Sequence, residues 1–316
     1  MSLPITDYVT DTKSVLDQIP RVLGALLDIA ILEKSAFVVQ AVALLSQHIA
    51  QAVPISETSF IPLNLSQQIL ETSPCSDTFS MGSCTSELQQ LPGVTPAIAK
   101  DFVSPPHSLC SVRQLALSCR AGTTDSLPAS VLAFRNAVSN RDKLMQALTF
   151  LPLVDITNVG VMCSTSSPTT SLGQQTQQIQ VKVTMQSMAG KNHSPASLTS
   201  ILSNGRHHKP KAAGYWCLVT QAFKPDEKCN AHLVAGFLKV PALGIPSDGT
   251  SRAPSRQTTQ PSSEVVIPCE LLIAPHSQMV ILDVWLMSDM FVGTDVHAQL
   301  RVNPSAFTPV SAAVAT

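Results

Sequence analysis

Asp289 and Asp295 stand six positions apart in Leu286-Met-Ser-Asp-Met-Phe-Val-Gly-Thr-Asp295, the nearest approach in this chain to a paired-carboxylate acid and base. Ser288 and Gly293 lie in the same segment, and these residue types also close turns. Short polar side chains bond to nearby backbone, and glycine takes positive φ at little cost. Turn-shaping is the commoner use of such a cluster. Cys75/Cys84 and Cys110/Cys119 repeat one spacing, with eight residues between the members of each pair. Structural zinc uses knuckles of two to four intervening residues, so these read as buried or loop thiols. His207-His208 could ligate a metal but lies without a nearby carboxylate or thiolate, as loop histidines do. No Gly-x-x-x-x-Gly-Lys-Ser/Thr phosphate loop, Gly-x-Ser-x-Gly elbow or His-Glu-x-x-His helix occurs. The chain therefore reads as non-enzymatic, with no catalytic residue, metal or cofactor assigned.

Two local features could meet a polyanion. Arg206-His-His-Lys-Pro-Lys211 places Arg206, Lys209 and Lys211 in one long connection, although a solvated loop reads the same way. Leu91-Pro-Gly-Val94 lies between two short helical patterns, as in a helix–hairpin–helix element. Backbone N–H groups near Gly93, at a helix N-terminus, could face a phosphate; a structural helix turn explains Pro-Gly equally well. Trp216 and Trp285 fall in strand patterns, where core packing outweighs base stacking.

The elements that must position these residues follow from periodicity. Residues 10–30 form an amphipathic helix, with Thr10 or Asp11 as N-cap and apolar residues at Val15, Ile19, Val22, Leu26 and Ala30. Its polar stripe holds Ser14, Asp17, Gln18, Arg21 and Asp28. Pro20 should bend it, since proline removes a donor and clashes with the preceding turn at about 3 kcal/mol. Residues 36–53 form a second helix, apolar around most of its circumference. Residues 54–86 read as linker, and 111–119 and 130–148 as further helices. From Leu153 the period becomes two. Strands are expected at 154–163, 179–185, 215–219, 233–240, 264–273, 280–287 and 296–302, the last two joined by a polar turn. Seven short strands with polar connections suggest a sandwich of immunoglobulin or fibronectin type III kind. The connections 186–214 and 241–263 are long enough to be functional or disordered.

Bulk properties set limits. A chain of 316 residues has ample capacity for a core, in two or three domains. Its formal net charge of −1 leaves any polyanion site to a local patch. No apolar run is long enough for a membrane span, and the start lacks a signal-peptide pattern. Eight cysteines then read as reduced thiols of an intracellular protein, in the nucleus, the cytoplasm or both.

Three motifs in order carry a family resemblance over about residues 8–303. Asp11-Thr-Lys-Ser-Val-Leu-Asp-Gln-x-x-Arg21 resembles the start of a helix in the Sec sixty-three domain of the large Ski-two-like helicases. Gly214-Tyr-Trp-Cys-Leu-Val219 is similar to that domain's Gly-Trp-aromatic strand. The segment 286–295 resembles its closing Met-Ser-Asp-x-Tyr-x-Gly-x-Asp signature, with Phe291 replacing tyrosine. Phe150-Leu-Pro-Leu-Val154 stands where that family passes from helices to sandwich.

The resemblance implies an α+β multidomain chain. A truncated helical bundle with a ratchet-like helix would occupy 1–60, and a linker with helix–hairpin–helix 61–150. An immunoglobulin/fibronectin-like β-sandwich would occupy 151–303, and a tail 304–316. It implies a non-catalytic scaffold module of a nucleic-acid helicase, whose ATPase core would act in cis or in trans. Lys13 and Arg21 would face a translocating single strand of DNA or RNA, and the sandwich would bind other complex subunits. An ion pair of Arg21 with Asp17 or Asp28 is the alternative for that residue. Trp216, Ser288, Asp289, Gly293 and Asp295 would be structural signature residues. A stand-alone interaction module is the alternative function, as is a relative of the endoplasmic-reticulum translocation protein sharing the domain, though no membrane span is expected here.

Overall fold

The computed structural model describes residues 5–51, 53, 85, 87–109, 111–121, 127–162, 169–171, 174–188, 214–226, 229–240, 262–273 and 279–303. They form a mixed α+β structure of helices and two antiparallel four-stranded sheets.

Helix α1 (Ile5–Leu32) starts earlier than its pattern suggests. Thr10 and Asp11 therefore lie inside the helix and are not its cap. Pro20 is accommodated at an exposed position, and α1 runs unbroken through it. Helix α2 (Ala36–Gln51) folds back after residues 33–35, where Ser35 N donates to Ala30 O and Lys34 takes φ 54°. This turn is pinned to the sheet. Val234 N donates to Lys34 O, and Lys34 Nζ bonds Glu270 Oε2 at 2.7 Å.

Helices α3 (Pro96–Val103), α4 (Val112–Ala121), α5 (Ala129–Ala137) and α6 (Arg141–Phe150) share a second core. Thr95 Oγ1 accepts Ile98 N to cap α3, and Pro96 fills its first turn, where a missing N–H costs nothing. The expected single helix over 130–148 is two helices. The chain leaves helical geometry at Val138, and the Asn140 side chain accepts Lys143 N to open α6. A Ser-Asn pair offers the backbone side-chain bonds that compete with helix continuation.

The strands are β1 (Val154–Met162), β2 (Thr169–Ser171), β3 (Gln174–Ser187), β4 (Tyr215–Asp226), β5 (Cys229–Val240), β6 (Ser262–Ile273), β7 (Val280–Ser288) and β8 (Val296–Val302). All seven expected strands form. β2 is additional, and β3, β4 and β5 run well past their clearest apolar alternation. One sheet centres on β3, with β1 and β2 along one edge and β6 along the other; the second has the order β5-β4-β7-β8.

The sheets enclose one core. Ile179, Val181, Val183 and Met185 of β3 meet Cys217 and Val219 of β4 and Leu282, Val284 and Leu286 of β7. This is the period of two put to use, with alternate residues of each strand turned into the shared core. At the closing edge β5 and β6 approach closely at Gly236, where a Cβ would lie 2.6 Å from Cys269 Sγ and 2.7 Å from Pro268 O. The outer face of the second sheet carries Trp216, Leu218 and Met287 against Leu23, Leu27, Val39 and Ala43 of the α1–α2 hairpin. Among the described residues, no helix is long and apolar enough to cross a membrane.

Candidate functional site at the junction of helices and sheets

The connection between β7 and β8 is where the helical and sheet regions are joined. The sequence suggests a polar turn; the structure corrects this, because Met290, Phe291 and Val292 are all buried. Met290 and Phe291 enter the helical core beside Leu88, Phe134 and Leu148. The polar residues around them frame an apolar plug.

A plug made of turn backbone must satisfy its N–H and C=O groups away from water. Ser288 Oγ accepts Met290 N at 3.2 Å and Phe291 N at 3.0 Å, and Thr294 Oγ1 donates to Phe291 O. Three glutamines complete the set. Gln47 Nε2 of α2 donates to Ser288 O at 2.8 Å and to the Asp295 carboxylate at 3.0 and 3.1 Å. One turn on, Gln51 Nε2 donates to Met290 O at 2.9 Å. Gln90 holds Val292 from both sides: Nε2 donates to its O at 2.7 Å, and Oε1 accepts its N at 3.1 Å. A primary amide carries an acceptor oxygen and a donor nitrogen side by side, so one side chain can pair a backbone donor and a backbone acceptor at once.

Both aspartates serve backbone donors. Asp289 Oδ1 accepts Gly214 N at 2.7 Å, while Asp289 N donates to Gly214 O, fixing the entry to β4. Asp295 Oδ1 accepts Ser288 N at 2.8 Å, closing the turn on itself. Such bonding is a structural use of a carboxylate. Dense surroundings push the Asp295 carboxyl up to about 6, against the pull of Ser288 N, Gln47 and Arg113; an open side to solvent tempers that push.

Glu87 is the third acid at the junction. Its carboxyl lies over Gly293, which has φ 74°, and a Cβ there would come within 2.2 Å of Glu87 Cδ and Oε2. Burial pushes Glu87 up to about 7; Val112 N, donating to Oε2 at 3.1 Å from the start of α4, opposes this, and Asp295 adds to it. Two arginines of α4 tie the helices to the sheets. Arg113 Nη1 donates to Val154 O at 2.9 Å and Thr294 O at 3.4 Å, and Nη2 lies 3.6 Å from Asp155. Arg120 donates to Thr149 O, Leu151 O and Met188 O. Tyr215 Oη closes the set on Pro152 O at 2.8 Å.

Of the residues singled out by sequence, Ser288, Asp289, Gly293 and Asp295 come together here, and Trp216 packs beneath the α1–α2 hairpin. Gly93 is an exposed turn residue with φ 78°, where a Cβ would lie 3.0 Å from Val138 Cγ1. It is remote in role from the junction. Arg21 is exposed on α1 and makes no ion pair with Asp28 or another described side chain. Lys13 belongs to α1, but its side chain lies outside the described residues, as do Arg206, His207, His208, Lys209 and Lys211 altogether. Cys75, Cys84 and Cys110 lie outside them too. Cys119 is described and half-buried, and burial raises its thiol.

A second polar cluster occupies the outer face of the β5-β4-β7-β8 sheet. Buried Asp283 accepts from Gln299 Nε2 at 3.2 Å, bonds His297 Nε2 at 2.9 Å and lies 3.8 Å from His232 Nδ1. Burial raises the Asp283 carboxyl, but the bonds to His297 and Gln299 outweigh it and leave the group below its ordinary value. Trp285 stacks on His297 with ring centroids 4.0 Å apart. Among the described residues, no group of three His, Cys, Asp or Glu side chains is placed to hold a metal ion.

Sequence reasoning missed Gln47, Gln51, Gln90, Glu87, Arg113 and Arg120. One signal was present: Gln47 and Gln51 stand one turn apart on a helix apolar around most of its circumference. Amides on a buried face require partners. No family model matches the chain, and no curated protein matches it in sequence.

Proposed function

We propose that the chain is a non-catalytic Sec sixty-three-type scaffold module serving a nucleic-acid helicase, closest in its motifs to activating signal cointegrator 1 complex subunit 3. In this reading the two sheets are the fibronectin/immunoglobulin-like sandwich, and the segment around Leu91-Pro-Gly-Val94 is the helix–hairpin–helix. The observation that carries the proposal is the junction turn. Residues 286–295, which hold the strongest motif of the resemblance, act as a bonded plug between helices and sheets, the task of a structural signature. The carboxylates of that motif are spent on backbone N–H groups, which supports a bracing role over a catalytic one.

The strand-guiding part of the proposal falls to the exposed Arg21, since a guanidinium can grip phosphate or stack on a base. Filter binding of single-stranded RNA and DNA to the 316-residue chain over a salt series tests it. The expected result is affinity that falls steeply with salt, with a shallower slope in Arg21→Ala, by about 0.7 for one lost contact to a single strand. Absence of binding would leave the second reading, a module for protein interaction alone. That reading is favoured by one observation, the exposed apolar face of α1.

A further inference from the structure

Helix α1 has two apolar faces, and the chain uses one. Ile19, Leu23, Leu27 and Ala30 pack inward against α2 and the sheet. Val15, Gln18, Val22, Ala25, Ile29 and Leu32 are all exposed and follow the alternating three- and four-residue steps of a heptad seam. Val15 and Ile29 keep more than half their surface open, and Leu32 is 81% exposed. Scattered exposed apolar residues are ordinary; a continuous seam along one helix marks a docking face.

We infer that this seam binds the same seam of a second copy of the chain, the two α1 helices running antiparallel. The occupant follows from self-complementarity. Setting Val15 opposite Leu32 of the second copy places Gln18 against Ile29 and Val22 against Ala25, and the two-fold axis repeats every layer. Arg21 and Asp28 occupy the same flanking position of successive heptads. In an antiparallel pair that flank faces its own kind, so Arg21 of each copy meets Asp28 of the other, twice over. On the opposite flank Leu26 meets Ile19, so that side is apolar. Within one chain Arg21 and Asp28 are two helical turns apart, and neither has an ion-pair partner among the described residues. A parallel pair would bring Arg21 to Leu26 and leave both charges unmatched, which selects the antiparallel arrangement.

This assignment leaves the scaffold reading of the junction untouched and competes with its strand-guiding part at Arg21, which it gives a carboxylate in place of a phosphate. Sedimentation of the full chain over a concentration series, with Arg21→Asp, Asp28→Arg and the double exchange, tests it. The expected result is a reversible dimer, weakened roughly tenfold or more by either single change, since each sets two like-charge pairs across the axis. The double exchange restores it. Thermal melts of each variant confirm folding, and both positions are exposed. A chain that stays monomeric to about 100 μM, far weaker than specific interfaces of this kind, overturns the proposal. So does a dimer indifferent to the single exchanges. Salt-steep binding of single strands by a monomer, lost in Arg21→Asp, returns Arg21 to the phosphate role and equally overturns it.

Discussion

Residues 289–295 and the outer face of α1 are both short apolar surfaces edged by polar side chains, yet one is closed and the other is open. The plug is held by directional bonds: Ser288 and Thr294 from within, Gln47, Gln51 and Gln90 from the helices. Each bond matches a backbone group that would otherwise be buried unpaired, which costs about 1–3 kcal/mol apiece. The outer face of α1 has apolar side chains with the single amide of Gln18 among them, and two charges without an ion-pair partner among the described residues. Closure inside the chain comes from polar accounting as much as from apolar contact. The hydrophobic effect supplies attraction, and the amides decide which surface receives it.

The contrast breaks most sharply at Gly293. Gly293→Val forces a β-branched residue to φ 74° and drives its side chain into Glu87, whose bond to Val112 N is then lost. The expected loss is about 3 kcal/mol or more, read as a lower thermal midpoint. An unaltered midpoint would remove the turn from the structural frame.

A smaller effect comes through Glu87. Its carboxyl is raised in the folded state from 4.5 to about 7, so its contribution to stability is fully present below 4.5 and is lost as pH rises through about 7. Asp295, raised from 3.8 to about 6, acts in the same direction at lower pH, whereas Asp283 is lowered and acts only in stronger acid. His232, lowered by burial against the pull of Asp283, acts the opposite way and gains as pH rises. Glu87 and Asp295 together should still make the chain melt higher near about pH 5.5 than near about pH 8, and Glu87→Gln should flatten or reverse the difference. A midpoint that rises steadily across that interval would show that another group governs it.

The smallest effect belongs to the open face. Val22→Ser, at a side chain 56% exposed, should leave the stability of dilute protein within about 0.5 kcal/mol. A cost of several kcal/mol at low concentration would mean that the face is already covered within one chain.

Much of the architecture was legible before the fold. The alternation of Ile179, Val181, Val183 and Met185 gave β3, a local pattern that water imposes within a few residues. The apolar stripe of α1 was misleading. Ile19 and Ala30 do pack inward, but Val15, Val22 and Leu26 are exposed and Leu23 and Leu27 carry the buried face, because the helix is apolar over too wide an arc for periodicity to choose the side. The break at Val138 was harder, because Ser139 and Asn140 can sit in a helix or cap the next one, and only packing chooses. The junction was half legible. Ser288, Asp289, Gly293 and Asp295 stood out as turn residues, while Met290 and Phe291 read as incidental apolar residues in a polar turn.

What the sequence determined by itself is therefore most of the elements and the core-facing sides of the strands, since periodicity is written in neighbouring residues. The tertiary structure alone decided the pairings of Gln47 with Ser288, Gln51 with Met290 and Gln90 with Val292, each across more than two hundred residues. No local pattern encodes such a partner. A buried amide announces only that it needs one, and the fold determines which backbone group comes within reach.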